Sequence, residues 1–206
     1  KKLTLTDHHA NLSLCVDFNS LDIQSRINPN TAKPALIKAI EGKQKEKLSI
    51  IDATAGLGTD SFCMAARGHR IFAIEQSPIV YLLLTDGLKR AQEDLNLSQI
   101  SKNITLYFGE ASKVIPTLSP PDIIYVDPMF PEKQKSAKVK KNMQLLQTIL
   151  GHSDLNSELF KIARQTATQK VIVKRPKQSD FLDNQKPSSQ IVGKTNRFDI
   201  YVCKRT

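Results

Sequence analysis

Short apolar runs that alternate with helical patterns constrain this chain more than any other feature. Leu48-Ser49-Ile50-Ile51-Asp52 reads as a buried strand, Gly56-Leu57-Gly58 turns the chain, and 59–67 reads as a helix ending at Gly68. Arg70–Glu75 is a second strand, and 78–92 a helix with Pro78 in its first turn, where a missing N–H does no harm. Ile104–Phe108 is a third strand. Ile123-Ile124-Tyr125-Val126 is a fourth and runs into Asp127-Pro128. Lys170–Lys174 is a fifth, and Gln190–Val192 with Phe198–Val202 suits a closing hairpin. This alternation predicts an α/β fold: a mostly parallel sheet with helices on both faces and a C-terminal antiparallel hairpin. Upstream, the alternating piece Leu12–Phe18 suits a strand pair or an arm, Asn28-Pro29-Asn30-Thr31 breaks the chain, and 32–42 reads as a helix ended by Gly42. The expected organisation is an N-terminal extension, 1–30, before one domain, 31–206.

Composition narrows the classes. Hydrophobic residues are 40% and charged residues 24%, which is globular rather than disordered. No stretch approaches the ~18 consecutive apolar residues that span a bilayer, and no signal-peptide core opens the chain, so no membrane role is expected. The chain begins Lys1-Lys2-Leu3 without methionine, which leaves room for a natural start upstream. Thirty lysines and arginines against 20 acids give +10, a charge drawn to polyanions such as nucleic acid. Cys15, Cys63 and Cys203 are odd in number and lack CxxC spacing, and the histidines form no HExxH pattern. Neither a disulfide framework nor a metal site is expected, and a reducing cytoplasm is the simplest setting.

Ligands of such sheets bind beyond the carboxyl ends of the strands, so the residues just after each strand carry the chemistry. After the first strand, Asp52-Ala53-Thr54-Ala55-Gly56-Leu57-Gly58-Thr59-Asp60 lets the backbone approach a ligand closely. The second strand ends in Glu75, 17 residues beyond Gly58, near the ~20 at which an acid accepts from ribose hydroxyls. Gln76 follows it, and Gly109-Glu110-Ala111-Ser112 follows the third strand, where an adenine edge would lie. Each acid taken singly also suits a solvated surface, but three in succession point to a nucleoside. Neither GxGxxG nor GxxxxGK[ST] is present, so pyrophosphate lacks its cradle. The cationic sulfonium of S-adenosylmethionine suits Asp52, Asp60 and Glu75 better than a dinucleotide does.

After the fourth strand, Asp127-Pro128-Met129-Phe130-Pro131 is close to the [N/D]-P-P-[Y/F] motif of methyltransferases acting on exocyclic amines, with Met129 in place of the second proline. A nucleobase amine is a poor nucleophile because its lone pair is delocalised into the ring. Asp127 and the Pro128 carbonyl can accept its two N–H bonds, localise the pair and aim it. Phe130 can stack on the base, a contact worth ~1–3 kcal/mol. No Pro-Cys dipeptide occurs, which disfavours cytosine-C5 chemistry, and Cys63 reads as core. Lys133, Lys135, Lys138, Lys140 and Lys141 follow the motif, while Val139, Met143, Leu146 and Leu150 make the apolar stripe of a helix. Lysines off that stripe suit RNA phosphates. Lys174 or Arg175, ending the fifth strand, suits a phosphate or a guanine carbonyl, and Arg197 in the hairpin joins them.

The Asp52–Asp60 string, Asp127-Pro128-Met129-Phe130-Pro131 running into Lys133-Gln134-Lys135-Ser136-Ala137, Val173-Lys174-Arg175-Pro176 and Arg197-Phe198-Asp199-Ile200-Tyr201 resemble the ribosomal RNA small subunit methyltransferase J family. The resemblance runs from about Val16 to the C-terminus. It implies a Rossmann-like methyltransferase fold that uses S-adenosylmethionine to methylate the exocyclic N2 of a guanosine in small-subunit (16S) ribosomal RNA, free or within the small ribosomal subunit. It also implies cofactor contacts at Thr59-Asp60, Glu75-Gln76, Ala111-Ser112 and Asp127. On the residues alone, two other readings stay open. One is methylation of another planar amine, such as a protein glutamine. The other is a non-catalytic RNA-binding module.

Overall fold

Near-continuous runs of branched aliphatic residues suit strands covered on both faces. A computed structural model describes residues 1–8, 12–43, 46–128 and 157–203. In chain order these residues form β1 (Leu5–Asp7), β2 (Leu12–Leu14), α1 (Leu21–Ile27), α2 (Ala35–Glu41), β3 (Ser49–Asp52) and α3 (Thr59–Ala65). Next come β4 (Arg70–Glu75), α4 (Pro78–Glu93), α5 (Ser98–Ser101), β5 (Ile104–Phe108), α6 (Ala111–Val114) and β6 (Ile123–Val126). Then follow α7 (Ser157–Thr166), β7 (Lys170–Pro176), β8 (Ser189–Val192) and β9 (Asn196–Val202).

Seven of the described strands form one sheet in the order β5-β4-β3-β6-β7-β9-β8. The five from β5 to β7 are parallel. β9 runs antiparallel to β7 and to β8. The mostly parallel sheet with a closing antiparallel hairpin therefore forms as the pattern predicts. The chain steps one way from β3 through β4 to β5 and the other way from β6 to β7. The carboxyl ends of β3 and β6 thus adjoin where the order reverses, which opens a crevice there. Asp52 ends β3 and Asp127 directly follows β6.

Alternate residues feed two layers, as a period of two requires. Ile50, Ile71, Ile123, Tyr125 and Ile172 pack in one core with Ile37, Phe62 and Leu84 from α2, α3 and α4. Ile51, Ile74, Ile124 and Val171 pack in the other with Ala111 of α6 and Phe160 and Ala163 of α7. The N-terminal residues join the first layer. β1 and β2 pair antiparallel, Leu5 opposite Leu14. Beyond them Val16 and Phe18 are buried, and the Phe18 ring stacks on Phe62 with centroids 4.1 Å apart. Arg90 of α4 donates to the Val16 carbonyl.

Gly87 is what lets this segment lie so close to α4. A Cβ there would stand 2.3 Å from Val16 Cγ1. Gly87→Ala is therefore expected to destabilise the protein by about 1–3 kcal/mol, because the overpacked segment must shift. A lower midpoint of chemical denaturation at unchanged slope checks this.

Candidate active site

The first turn is built around Asp52. Its side chain is buried, with Oδ2 accepting the Ser61 hydroxyl at 2.5 Å and Oδ1 the Thr54 N–H at 3.2 Å. Burial pushes this carboxyl up to about 7, and the nearby Asp60 and Asp127 charges add to the rise against the Ser61 hydrogen bond. The folded state then binds a proton that the unfolded carboxylate releases near pH ~4, so Asp52 withdraws stability as pH rises from there to about 7. Asp52→Asn is expected to flatten that part of the melting-temperature profile, and an unchanged slope would contradict the burial argument.

Gly56 and Gly58 both take positive φ, +54° and +75°. A Cβ on Gly58 would come 2.5 Å from Leu84 and 3.2 Å from Phe18, so this glycine lets the turn sit down on the core. At Gly56 the nearest atom to such a Cβ would be the Thr54 carbonyl oxygen, at 3.9 Å. That leaves an open cradle above the turn. Glu75 closes it from β4: Oε2 accepts the Gly56 N–H at 2.9 Å and Oε1 the Ser77 N–H at 2.7 Å. Burial raises the Glu75 carboxyl and these backbone donors oppose the rise. A carboxylate has roughly four acceptor positions, so Glu75 keeps capacity for hydroxyl donors. At the end of β5, Gly109 donates to the Glu75 carbonyl at 3.0 Å. Glu110 holds Ser112 Oγ and Lys113 Nζ at 2.7 Å each, Ala111 is buried and Gln76 is exposed. The acids anticipated at three strand ends thus stand on three neighbouring strands.

The second cluster lies between β6 and β7. Thr54 Oγ1 accepts the Asp127 N–H at 2.7 Å. Lys174 Nζ donates to Asp127 Oδ2 at 2.7 Å and to Asp60 Oδ2 at 3.0 Å. The Tyr125 hydroxyl donates to the same Asp60 oxygen at 2.7 Å. Burial raises the Asp127 carboxyl to about 6 while the Lys174 ammonium holds it down, so it stays ionised at neutral pH. For Lys174 itself, burial works against the charged form, but the two carboxylates outweigh it and hold the ammonium protonated. Pro128 is buried beside this cluster. A cavity of about 330 Å3 opens here, with Asp60, Cys63 and Lys174 in its wall together with the exposed Arg26 and Lys194. Burial pushes the Cys63 thiol up to about 12, which removes it as a nucleophile.

Asp52, Gly56, Gly58, Thr59, Asp60, Glu75 and Asp127 all lie at the carboxyl edge of the sheet. Phe130 and Lys133, Lys135, Lys138, Lys140 and Lys141 lie outside the described residues. Arg197 requires a correction as an RNA contact. It is 6% exposed, donates to both Asp199 carboxylate oxygens at 3.0–3.2 Å, and reaches the Lys177 and Ser179 carbonyls at 2.7 Å each. A guanidinium so enclosed is a structural brace and has no face for RNA. Lys174, read as a contact for a phosphate or a guanine carbonyl, lies against the Asp60 and Asp127 carboxylates. Arg175 bonds Ser179 Oγ and the Asp180 carbonyl. Thr54, Ser61 and Tyr125 were not anticipated. Thr54 and Ser61 flank the glycine turn but look like any small polar residue, and only the sheet register reveals Tyr125.

This fold, with an open glycine cradle beside an Asp-Pro strand end, defines a Rossmann-like S-adenosylmethionine-dependent methyltransferase. The SAM-dependent methyltransferase family matches residues 1–203. A curated protein of Francisella philomiragia, "Ribosomal RNA small subunit methyltransferase J", is 48% identical over 197 residues, covering 94% of this chain and 82% of its own. The counterpart in Francisella tularensis subsp. novicida is also 48% identical over the same shares. The chain belongs to the ribosomal RNA small subunit methyltransferase J family. A solved SAM-dependent methyltransferase of Neisseria gonorrhoeae is 32% identical with a TM-score of 0.76, covering 98% of this chain and 79% of that one. An RNA methyltransferase of Salinibacter ruber, solved with S-adenosyl-L-homocysteine, shares the fold at a TM-score of 0.51 and 12% identity, over 85% of this chain and 94% of its own. Among the described residues no helix is long and apolar enough to cross a membrane.

Proposed function

We propose that this enzyme methylates the exocyclic N2 of a guanosine in small-subunit ribosomal RNA. The observation that carries the reading is the placement of Asp127-Pro128. They leave β6 at the point where the strand order reverses, beside the Gly56 cradle, with the Asp127 backbone fixed by Thr54 and its carboxylate by Lys174. A net charge of +10 and the name of the Francisella relatives support RNA as the substrate.

The residues divide the work. Glu75 would hold the cofactor's ribose hydroxyls, and the turn around Gly56 and Gly58 would let the cofactor approach the backbone closely. The Thr59-Asp60 and Ala111-Ser112 segments border it. Bound there, S-adenosylmethionine supplies an electrophilic methyl group on a sulfonium. Asp127 and the Pro128 carbonyl accept the two amine N–H bonds and point the lone pair inward. Asp127 stays ionised and takes the proton the amine loses as its new N–C bond forms. Phe130 stacks on the base, and Lys133, Lys135, Lys138, Lys140 and Lys141 hold the flanking phosphates. The target base leaves its stack to reach this edge.

Incubation with radiolabelled cofactor and small subunits lacking the modification, followed by digestion to nucleosides, tests this. Label in N2-methylguanosine is the expected result. Label in another nucleoside would retain the enzyme and overturn the target. Transfer to protein alone would move the assignment to glutamine-type substrates. Absence of cofactor binding would leave a non-catalytic RNA-binding module.

A further inference from the structure

Lys174 has a chemistry that the methyl transfer just described does not require. Localising an amine lone pair takes acceptors, and Asp127 with the Pro128 carbonyl supplies them. An ammonium in the same cluster adds a donor. Its three N–H groups give two to Asp127 and Asp60, at 2.7 and 3.0 Å, and leave one for a ligand. Lys174 and Asp60 form part of the wall of the 330 Å3 cavity, so a ligand reaches this donor from outside. The Tyr125 hydroxyl, itself bonded to Asp60, fixes that carboxylate from behind.

We propose that Lys174 and the two oxygens of the Asp127 carboxylate form a donor–acceptor–acceptor array that reads the Watson–Crick edge of guanine, with Asp60 anchoring the ammonium from its other side, which makes Lys174 a specificity-determining residue. The inference rests on the guanosine reading above and adds how guanine is told from adenine. The edge of guanine runs acceptor, donor, donor: O6, N1–H and the N2 amine. The array is its complement, with Lys174 donating to O6 and the two oxygens of Asp127 accepting from N1–H and N2–H. Adenine presents an amine where O6 stands and a bare N1. Its amine would face the ammonium and its N1 lone pair a carboxylate, both repulsive. Discrimination of this kind comes from leaving buried polar groups unpaired with the wrong ligand, and it exceeds what shape alone achieves.

The same ammonium keeps the two carboxylates together. Asp60 and Asp127 both stand within 3.0 Å of Lys174 Nζ, and without that charge they would repel. One residue thus sets both the edge pattern and the ionisation of the acid that receives the amine. A neutral donor at 174 would supply only the first.

The test uses the whole enzyme and subunits reassembled with rRNA that carries 6-thioguanine at the methylated position. Sulfur replaces O6 as a poor acceptor while N1–H and the N2 amine are kept. Wild-type enzyme is expected to favour guanine over 6-thioguanine by about 10- to 100-fold in kcat/KM, the range for a hydrogen bond from a charged donor. Lys174→Met, its folding checked by melting temperature, should lose that preference, so that both bases react within about 3-fold of each other. Lys174→Gln should keep part of it through a neutral donor, which also reads the contact should the methionine variant not fold. Equal rates on both bases with wild-type enzyme would overturn the inference and leave guanine-N2 methylation standing. So would an undiminished preference in the variants. No transfer to guanine by wild-type enzyme would overturn both.

Discussion

Asp127→Ala is expected to lower kcat by about 10³-fold or more, with RNA affinity within about 3-fold of wild type. Two effects combine in one side chain. The carboxylate accepts an amine N–H and receives the proton, and groups in each role typically contribute factors of about 10²–10⁴. RNA affinity is spared because phosphate contacts dominate it. Asp127→Asn keeps an acceptor oxygen but loses the charge opposite Lys174, 2.7 Å away. It should fall between the two. The pH profile of kcat separates the roles: wild type should lose activity as pH falls through about 6, where Asp127 protonates. The asparagine variant should lack that acid limb. Wild-type turnover in the alanine variant would remove Asp127 from the chemistry.

The second large effect is on stability. Asp199→Ala should cost about 3–5 kcal/mol, because it strands a buried guanidinium. Asp199 is 0% exposed, lies against Arg197 at 3.0 Å and also accepts from Gln190 Nε2 at 2.5 Å. For a chain of this length each kcal/mol shifts the melting temperature by roughly 2–4 °C, so a fall on the order of 10 °C is expected. Replacing both partners by apolar residues, Arg197→Met with Asp199→Leu, should recover much of the loss, since no charge is then left alone. A melting temperature unchanged by Asp199→Ala would mean that the carbonyls of 176–180 satisfy Arg197 by themselves.

What could be read from the sequence divides along a physical line. Strand ends were legible because a buried parallel strand is an apolar run, and the residues that break such runs are those that face a ligand. Asp52, Glu75 and Asp127 stood out for that reason. Partnerships across the sheet were not legible. Lys174 reads as a cation for a phosphate or a guanine carbonyl, and its two carboxylate partners appear only when Val126 is seen opposite Val173, which brings the next residues, Asp127 and Lys174, out side by side. Arg197 reads as an RNA-facing cation until β9 is paired with β7. Only then do positions 197 and 199, two apart on a strand and so on one face, become a buried ion pair closed by the 176–180 turn. The Arg-x-Asp spacing in a predicted strand was the available signal.

The Phe18 ring beneath Gly58 ties the two ends of a thermodynamic cycle. A ligand that fixes the glycine turn from above is expected to steady the aromatic stack below it, and by reciprocity a loosened stack should weaken that ligand's binding. The partners that seat Phe18 and Val16 lie far along the chain, at Phe62, Gly87 and Arg90. Residues 16–18 can therefore dock only once residues 62–90 are in place. Occupancy of the cradle is then expected to slow cleavage of residues 12–18 by proteases that never approach the catalytic edge, and limited proteolysis with and without S-adenosylmethionine checks this.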